Sequence, residues 1–156
     1  MIAFGNGGSA TGLALCGRVS WPFKRDRHPI SAITLVGDLA VVTCVSNDFG
    51  YVSVFERQIQ ALTEAGDVVV GLTTSGTSEN VVRGLSSARA RGARIIALTG
   101  ASGLVRDASE FVLAVPSSSI AHIQEVHLLI IHIWFQIIDD KLASPQKSQN
   151  LVAEPS

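Results

Sequence analysis

The sequence has little of what several large classes of protein require. It contains only two cysteines, Cys16 and Cys44, which are too few for a disulfide framework and lack metal-ligand spacing, so we expect a reducing, cytoplasmic location. Charged residues make up 16% of the 156 residues, and 12 basic against 13 acidic side chains leave a net charge of -1. The chain therefore has no basic field for direct nucleic-acid binding, which depends on neutralising phosphates.

A long uninterrupted apolar run is also missing. The first residues have neither the basic region nor the extended apolar stretch of a signal peptide. The most apolar run, residues 128–138, is interrupted by His132 and Gln136 and is too short to span a bilayer. We therefore expect a soluble protein with no membrane partner, whose hydrophobic share of 47% is buried partly against other subunits.

Five short apolar runs end in turn-forming residues, and each is followed by a stretch compatible with a helix. These runs are residues 2–4, 30–36, 67–72, 94–98 and 111–115. Such alternation predicts an α/β fold with a parallel sheet covered by helices on both faces. The length suits one domain, which we place at residues 1–142. The polar tail, residues 143–156, is expected to be disordered.

Three of the predicted helices have clear sequence signals. Residues 79–90 carry apolar side chains at helical spacing, with Ser78 as the N-cap and Gly92 as the stop. Residues 54–65 have an apolar side as well. The last helix, about residues 120–140, is apolar nearly all round in its second half, which predicts burial in a core or in a subunit interface.

Two loops rich in glycine and hydroxyl groups follow the first and third runs. Loop A (residues 5–9) reads Gly-Asn-Gly-Gly-Ser, and its Ser9 can cap a following helix whose free N–H groups face a ligand. Loop B (residues 73–78) reads Thr-Thr-Ser-Gly-Thr-Ser and has no lysine, which excludes a Walker-type loop. Both lie at the carboxyl ends of strands, where open parallel sheets bind ligands. The pair favours a phosphate monoester on a small molecule.

A dinucleotide site is the main rival interpretation of loop A. Residues 5–10 match the pattern G-x-G-x-x-A, and Asp38 closes the second run. However, an acidic residue normally follows after about 20 residues, whereas Asp38 lies 28 residues past Ala10. We therefore expect no nucleotide cofactor.

Five segments together resemble the sugar-isomerase (SIS) superfamily and, within it, the phosphoheptose isomerase family. They are residues 4–10, 46–51, 66–68, 71–78 and 123–127, and the resemblance runs from residue 2 to about residue 142. It implies a three-layer sandwich around a five-stranded parallel sheet, flavodoxin-like in its topology. It also implies a helical segment before the first strand, which we expect this chain to lack. The implied activity is aldose–ketose isomerisation of sedoheptulose 7-phosphate to a heptose 7-phosphate, in a homotetramer with shared active sites.

The resemblance also implies roles for individual residues. His132 would be the acid–base group and, with Gln124, a ligand of zinc. Gln124 would touch the substrate too. The other substrate-binding residues that it implies are Asn6, Gly7, Gly8, Ser9, Asn47, Asp48, Thr73, Thr74, Ser75 and Ser78.

The stretch after Ser9 departs from the family pattern. Family members carry a zinc-binding histidine there and a glutamate that is both ligand and catalytic base, whereas an ungapped count places Leu15 and Val19 at those positions. A gap of one residue brings Arg18 opposite the glutamate, and Asp48 or Glu125 would be the substitute bases. Three hypotheses follow: an isomerase with an altered or partner-supplied base, a binding protein that has lost the chemistry, and a regulatory sensor of sugar phosphate.

Overall fold

The fold is an α/β sandwich around one parallel sheet. The computed structural model describes residues 1–11, 16–17, 20, 28–100 and 103–142. The strands are β1 (Ile2–Gly5), β2 (Ile33–Thr34), β3 (Val68–Leu72), β4 (Arg94–Thr99) and β5 (Phe111–Ala114). The helices with bounds inside this part are α1 (Leu39–Phe49), α2 (Val54–Leu62), α3 (Glu79–Ala90), α4 (Val105–Ala108) and α5 (Ile120–Leu142), with 3₁₀ turns at Gly7–Thr11 and Tyr51–Ser53. The tail predicted to be disordered, residues 143–156, lies outside it.

The sheet has the order β2-β1-β3-β4-β5, and every neighbouring pair is parallel. This confirms the predicted five-stranded parallel sheet and its flavodoxin-like topology. Strand β2 is shorter than the predicted run of residues 30–36, because it is an edge strand that pairs only with Ile2 and Ala3 of β1. Helix α2 ends at Leu62, earlier than the predicted residue 65.

Alternating side chains of the strands pack into two separate hydrophobic cores, one on each face of the sheet. Phe4 and Val69 point to the face covered by α2, α3 and α4, where the rings of Phe4 and Phe55 stack with centroids 4.7 Å apart. Ala3 and Val70 point to the opposite face, which is covered by α5. Burial of both faces explains why the strands read as continuous apolar runs.

Helix α5 covers its face of the sheet with a narrow stripe. Ile123, His127, Ile131, Phe135 and Asp139 recur at every fourth position and are buried. Leu129, Ile133 and Ile137 lie exposed on the outside. Helix α5 has 23 residues and is therefore longer than the most apolar run of the sequence, residues 128–138. In length and composition it is the one described helix that could cross a membrane. The core helix of a soluble protein can have the same composition.

Candidate functional site

Loops A and B begin side by side. Gly5, the last residue of β1, pairs with Leu72, the last residue of β3. The chain leaves β1 for β2 on one side, while β3 lies on the other, so the strand order reverses between the two loops. In open α/β sheets, this reversal opens the crevice that binds ligands.

Three hydroxyl groups of loop B converge on one another. Thr73 Oγ1 lies 3.2 Å from Ser78 Oγ and 3.4 Å from Ser75 Oγ, and the two serine oxygens are 3.5 Å apart. Thr73 is buried, whereas Ser75 is exposed and Ser78 half-buried. The three oxygens therefore form a small polar cluster that opens toward solvent at the start of α3.

Backbone groups hold loop B in this shape. The N–H of Gly76 donates to Thr73 Oγ1 at 3.2 Å, and the N–H of Thr77 donates to Ser75 Oγ at the same distance. Gly76 has a φ of 71°, in the left-handed region that favours glycine. The carbonyl of Thr74 accepts the N–H of Gly100, which ties loop B to the end of β4.

Ser78 occupies the N-cap position of α3, as predicted, but its side chain makes no capping hydrogen bond. The expectation that its hydroxyl caps the helix is therefore wrong. Its Oγ faces Thr73 and Ser75 instead, since the oxygens of these two residues lie within 3.5 Å of it. The hydroxyl is thereby part of the polar cluster rather than of the helix terminus.

Loop A turns back on itself and meets α5. The N–H of Ser9 donates to the carbonyl of Asn6 at 2.9 Å, within the 3₁₀ turn that contains Gly7 and Gly8. A Cβ added at Gly8 would lie 2.5 Å from the amide atoms of Gln124, so only glycine lets Gln124 come this close. The predicted capping of a longer helix by Ser9 falls on residues 12–15, outside the described residues.

Asn6 is hydrogen-bonded to two residues that sequence reasoning did not single out as site residues. Its side-chain amide and that of Asn80 exchange two hydrogen bonds of 2.9 Å each. The hydroxyl of Tyr51 donates to Asn6 Oδ1, also at 2.9 Å. Asn80 lies in the first turn of α3, directly after loop B, so this pair joins the two loops.

Asn47 and Asp48 lie at the exposed end of α1. Asn47 Nδ2 donates to Asp48 Oδ1 at 2.8 Å, and Cys44 Sγ lies 3.6 Å from Asp48 Oδ2. Both side chains are thus engaged on α1 itself. Their role as sugar-binding residues stays a prediction. Tyr51, which follows α1, links this end of the helix to loop A through its hydrogen bond to Asn6.

The histidines of α5 differ in their surroundings. His127 is fully buried, with Nε2 at 3.2 Å from the carbonyl of Thr99, and burial lowers its pKa. It therefore packs as a neutral core residue. His132 is half-buried, and its ring meets that of Phe135 edge-on with centroids 6.0 Å apart.

The residues present do not fit the zinc ion that the resemblance implies. Gln124 and His132 are eight positions apart on one helix, about 12 Å along its axis. Among the residues that the structure describes, no three His, Cys, Asp or Glu side chains form a group that could hold a metal. A protein zinc site normally has at least three protein ligands. Leu15 and Val19, which lie outside the described residues, are not of ligand type.

Cys16 does not replace the missing ligands. Its side chain is buried in the core beneath α5, beside Ala3 and Val70. Burial raises the pKa of its thiol to about 11. The thiol is therefore protonated at neutral pH, whereas metal binding and nucleophilic attack both require the thiolate.

Comparison with known proteins gives consistent matches along most of the chain. The SIS domain model matches residues 1–100. Phosphoheptose isomerase of Aquifex aeolicus is 40% identical over 142 residues, covering 90% of this chain and 74% of that protein. The Geobacter sulfurreducens phosphoheptose isomerase is also 40% identical, over 91% of this chain and 76% of its own length. A solved structure of a phosphoheptose isomerase from Francisella tularensis matches with a TM-score of 0.84 at 37% identity, over 89% of this chain and 75% of that one.

Proposed function

The chain belongs to the phosphoheptose isomerase family of SIS-domain proteins, and on that premise we propose that loops A and B bind a heptose phosphate. Loop B holds the phosphate and loop A faces the sugar. We further propose a cytoplasmic location, in line with the two free cysteines, Cys16 and Cys44.

The hydroxyl cluster of Thr73, Ser75 and Ser78 carries this proposal. Its three oxygens lie within 3.5 Å of one another, and they stand at the N-terminus of α3, a helix of 12 residues. The positive end of a helix dipole stabilises an anion at this position. Neutral hydroxyl donors and a helix N-terminus suit a phosphate monoester, and the hydroxyls can rotate to donate to its oxygens.

The proton transfer of an isomerase is a separate requirement from binding of the ligand. Aldose–ketose isomerisation needs a base within hydrogen-bond reach of the carbon-bound proton. Asp48 and Glu125 are exposed, and Asp48 is engaged with its neighbours on α1. Neither carboxylate is therefore placed in loop A or loop B as a base. Zinc bound by Gln124 and His132 would need further ligands from another subunit.

A second candidate is a sugar-phosphate binding or regulatory protein that does not isomerise its ligand. Leu15 and Val19 favour it, because they stand where the resemblance places a zinc-binding histidine and the catalytic glutamate. Both candidates bind the phosphate in loop B, and they differ only in whether the bound sugar is isomerised. A base supplied by another subunit of a tetramer would restore the first candidate.

Calorimetric titration tests the binding that both candidates share. We expect the wild-type protein to bind sedoheptulose 7-phosphate and, more weakly, inorganic phosphate. Ser75→Ala should weaken both by about tenfold or more, since it removes a hydrogen bond to a charged group. Ser86→Ala, on the exposed side of α3, is the matched control and should bind like the wild type. Absence of any binding by the wild type would refute the proposal.

Turnover of sedoheptulose 7-phosphate, with and without added zinc, separates the two candidates. Turnover that His132→Ala abolishes would support the isomerase. Binding without turnover would support the second candidate. In that case the double variant Leu15→His, Val19→Glu should gain activity with zinc, because it restores the two side chains that the family pattern has there.

A further inference from the structure

Three side chains form a hydrogen-bonded group between loop A, α3 and the 3₁₀ turn after α1. Asn6 Oδ1 accepts from Tyr51 and from Asn80 Nδ2, and Asn6 Nδ2 donates to Asn80 Oδ1, with all three distances at 2.9 Å. Asn80 is 5% exposed and Tyr51 is 52% exposed. The group therefore runs from the protein interior to the rim of the site.

The backbone fixes the direction of every bond in this group. The N–H of Val81 can only donate, and it lies 3.0 Å from Asn80 Oδ1. That atom must therefore be the carbonyl oxygen, and the other end of the Asn80 amide must be the donor. It follows that the atom of Asn6 facing Asn80 Nδ2 is an acceptor. Neither side-chain amide can therefore rotate by half a turn and exchange the positions of its oxygen and nitrogen.

The bonds leave Asn6 with one kind of free hydrogen-bonding capacity. An amide oxygen has two lone pairs, and both are taken, by Tyr51 and by Asn80. An amide nitrogen has two hydrogens, and Asn80 takes one of them. Counting the bonds within the part of the chain that the structure describes, Asn6 can thus offer a ligand one N–H donor and no acceptor.

We propose that Tyr51 and Asn80 are positioning residues, which hold the Asn6 amide so that its remaining N–H donates to an oxygen of the sugar part of the ligand. This inference rests on the proposed function of loops A and B. The same side chain in a free loop could rotate and accept a hydrogen bond from a sugar hydroxyl. Tyr51 and Asn80 exclude that orientation, which makes Asn6 selective for an acceptor on the ligand.

The test compares the affinities of two probes, sedoheptulose 7-phosphate and inorganic phosphate, for variants of the full chain. Tyr51→Phe removes only the hydroxyl and keeps the ring. We expect it to weaken binding of the sugar phosphate by about three- to tenfold, the size of one ordinary hydrogen bond. Binding of inorganic phosphate should not change, because loop B is untouched. A loss of structure would instead reduce both affinities.

A double-mutant cycle with Asn6→Ala makes the test specific. If Tyr51 acts through Asn6, Tyr51→Phe has no further effect in the Asn6→Ala background. Asn80→Ala should likewise lower affinity for the sugar phosphate alone. Thr43→Val is the control, since it removes an exposed hydroxyl that bonds only within α1.

Two results would overturn the inference while leaving the proposed function intact. One is a wild-type protein that binds sedoheptulose 7-phosphate with an affinity that Tyr51→Phe does not change. The other is an effect of Tyr51→Phe that persists in full when Asn6 is already alanine. A wild-type protein that binds neither probe would instead refute the proposed function itself.

Discussion

At the scale of single residues, the site is built from neutral polar groups. Thr73, Ser75 and Ser78 supply hydroxyls, and Asn6 supplies one amide donor. Such groups keep their hydrogen-bonding capacity across a wide pH range. A phosphate site made in this way should depend on pH mainly through the ionisation of the ligand.

His127 has a different pH response. Burial lowers its pKa, so the folded protein keeps the imidazole neutral at pH values where the unfolded chain takes up a proton. The unfolded state then binds more protons, and the free energy of unfolding falls as the pH drops below about 6.5, the ordinary histidine pKa. The loss amounts to at most about 1.4 kcal/mol per pH unit, and it disappears well above pH 6.5, where the imidazole is neutral in both states.

Urea unfolding of His127→Gln at pH 7.5 and pH 5.5 measures this contribution. We expect a smaller loss of stability on acidification than in the wild type, because glutamine does not take up a proton. His122→Gln, at an exposed position on the same helix, serves as the control and should behave like the wild type. An equal loss in His127→Gln and the wild type would show that His127 does not contribute.

At the scale of elements, loop B depends on the end of β4. A Cβ added at Gly100 would collide with the backbone carbonyl of Thr74, and it would lie 3.0 Å from Ile123 Cδ1. A backbone atom cannot rotate away as the end of a side chain can. The hydroxyl cluster therefore keeps its shape only while residue 100 is glycine.

Gly100→Ala should displace loop B and weaken binding of inorganic phosphate by about tenfold, the size of one lost hydrogen bond to a charged group. Stability should fall as well, by about 1–3 kcal/mol, the usual cost of overpacking. Ser118→Ala, in the exposed loop after β5, is the control for a change at the same edge of the sheet. Unchanged phosphate affinity in Gly100→Ala would mean that loop B tolerates the displacement.

Much of the secondary structure could be predicted from the sequence. Helix α3 was predicted at residues 79–90 and has those bounds, because the start at Ser78, the stop at Gly92 and the apolar period agree. Strand β2 was predicted too long, since its length depends on how much of β1 lies beside it. The bonds from Tyr51 and Asn80 to Asn6 join residues that are distant in sequence, so local patterns do not reveal them.

At the scale of the whole molecule, the outer side of α5 is unusually apolar. Leu129, Ile133 and Ile137 are each about half exposed. Exposed apolar patches of this kind mark surfaces that contact other molecules. We propose that this side of α5 is a subunit interface, in keeping with the tetramer that the family resemblance implies.

Sedimentation velocity tests this assembly. The wild type should sediment as an oligomer, and Ile133→Glu should shift it toward the monomer, because a charge buried in an apolar interface is strongly unfavourable. Ser86→Glu adds the same charge on the opposite face of the sheet and should leave the oligomer intact. A monomeric wild type, or an oligomer that Ile133→Glu leaves unchanged, would exclude α5 as the interface.

The pairing of β1 with β3 determines when the site between loops A and B forms during folding. Gly5 and Leu72, which carry the two loops, are far apart in the chain and yet are direct neighbours in the sheet. Contacts of such high sequence separation are slow to form, because the intervening chain must first lose the entropy of an open loop. A nascent chain therefore has no binding site until β3 has left the ribosome. Sugar-phosphate binding would then report that β1 and β3 have paired.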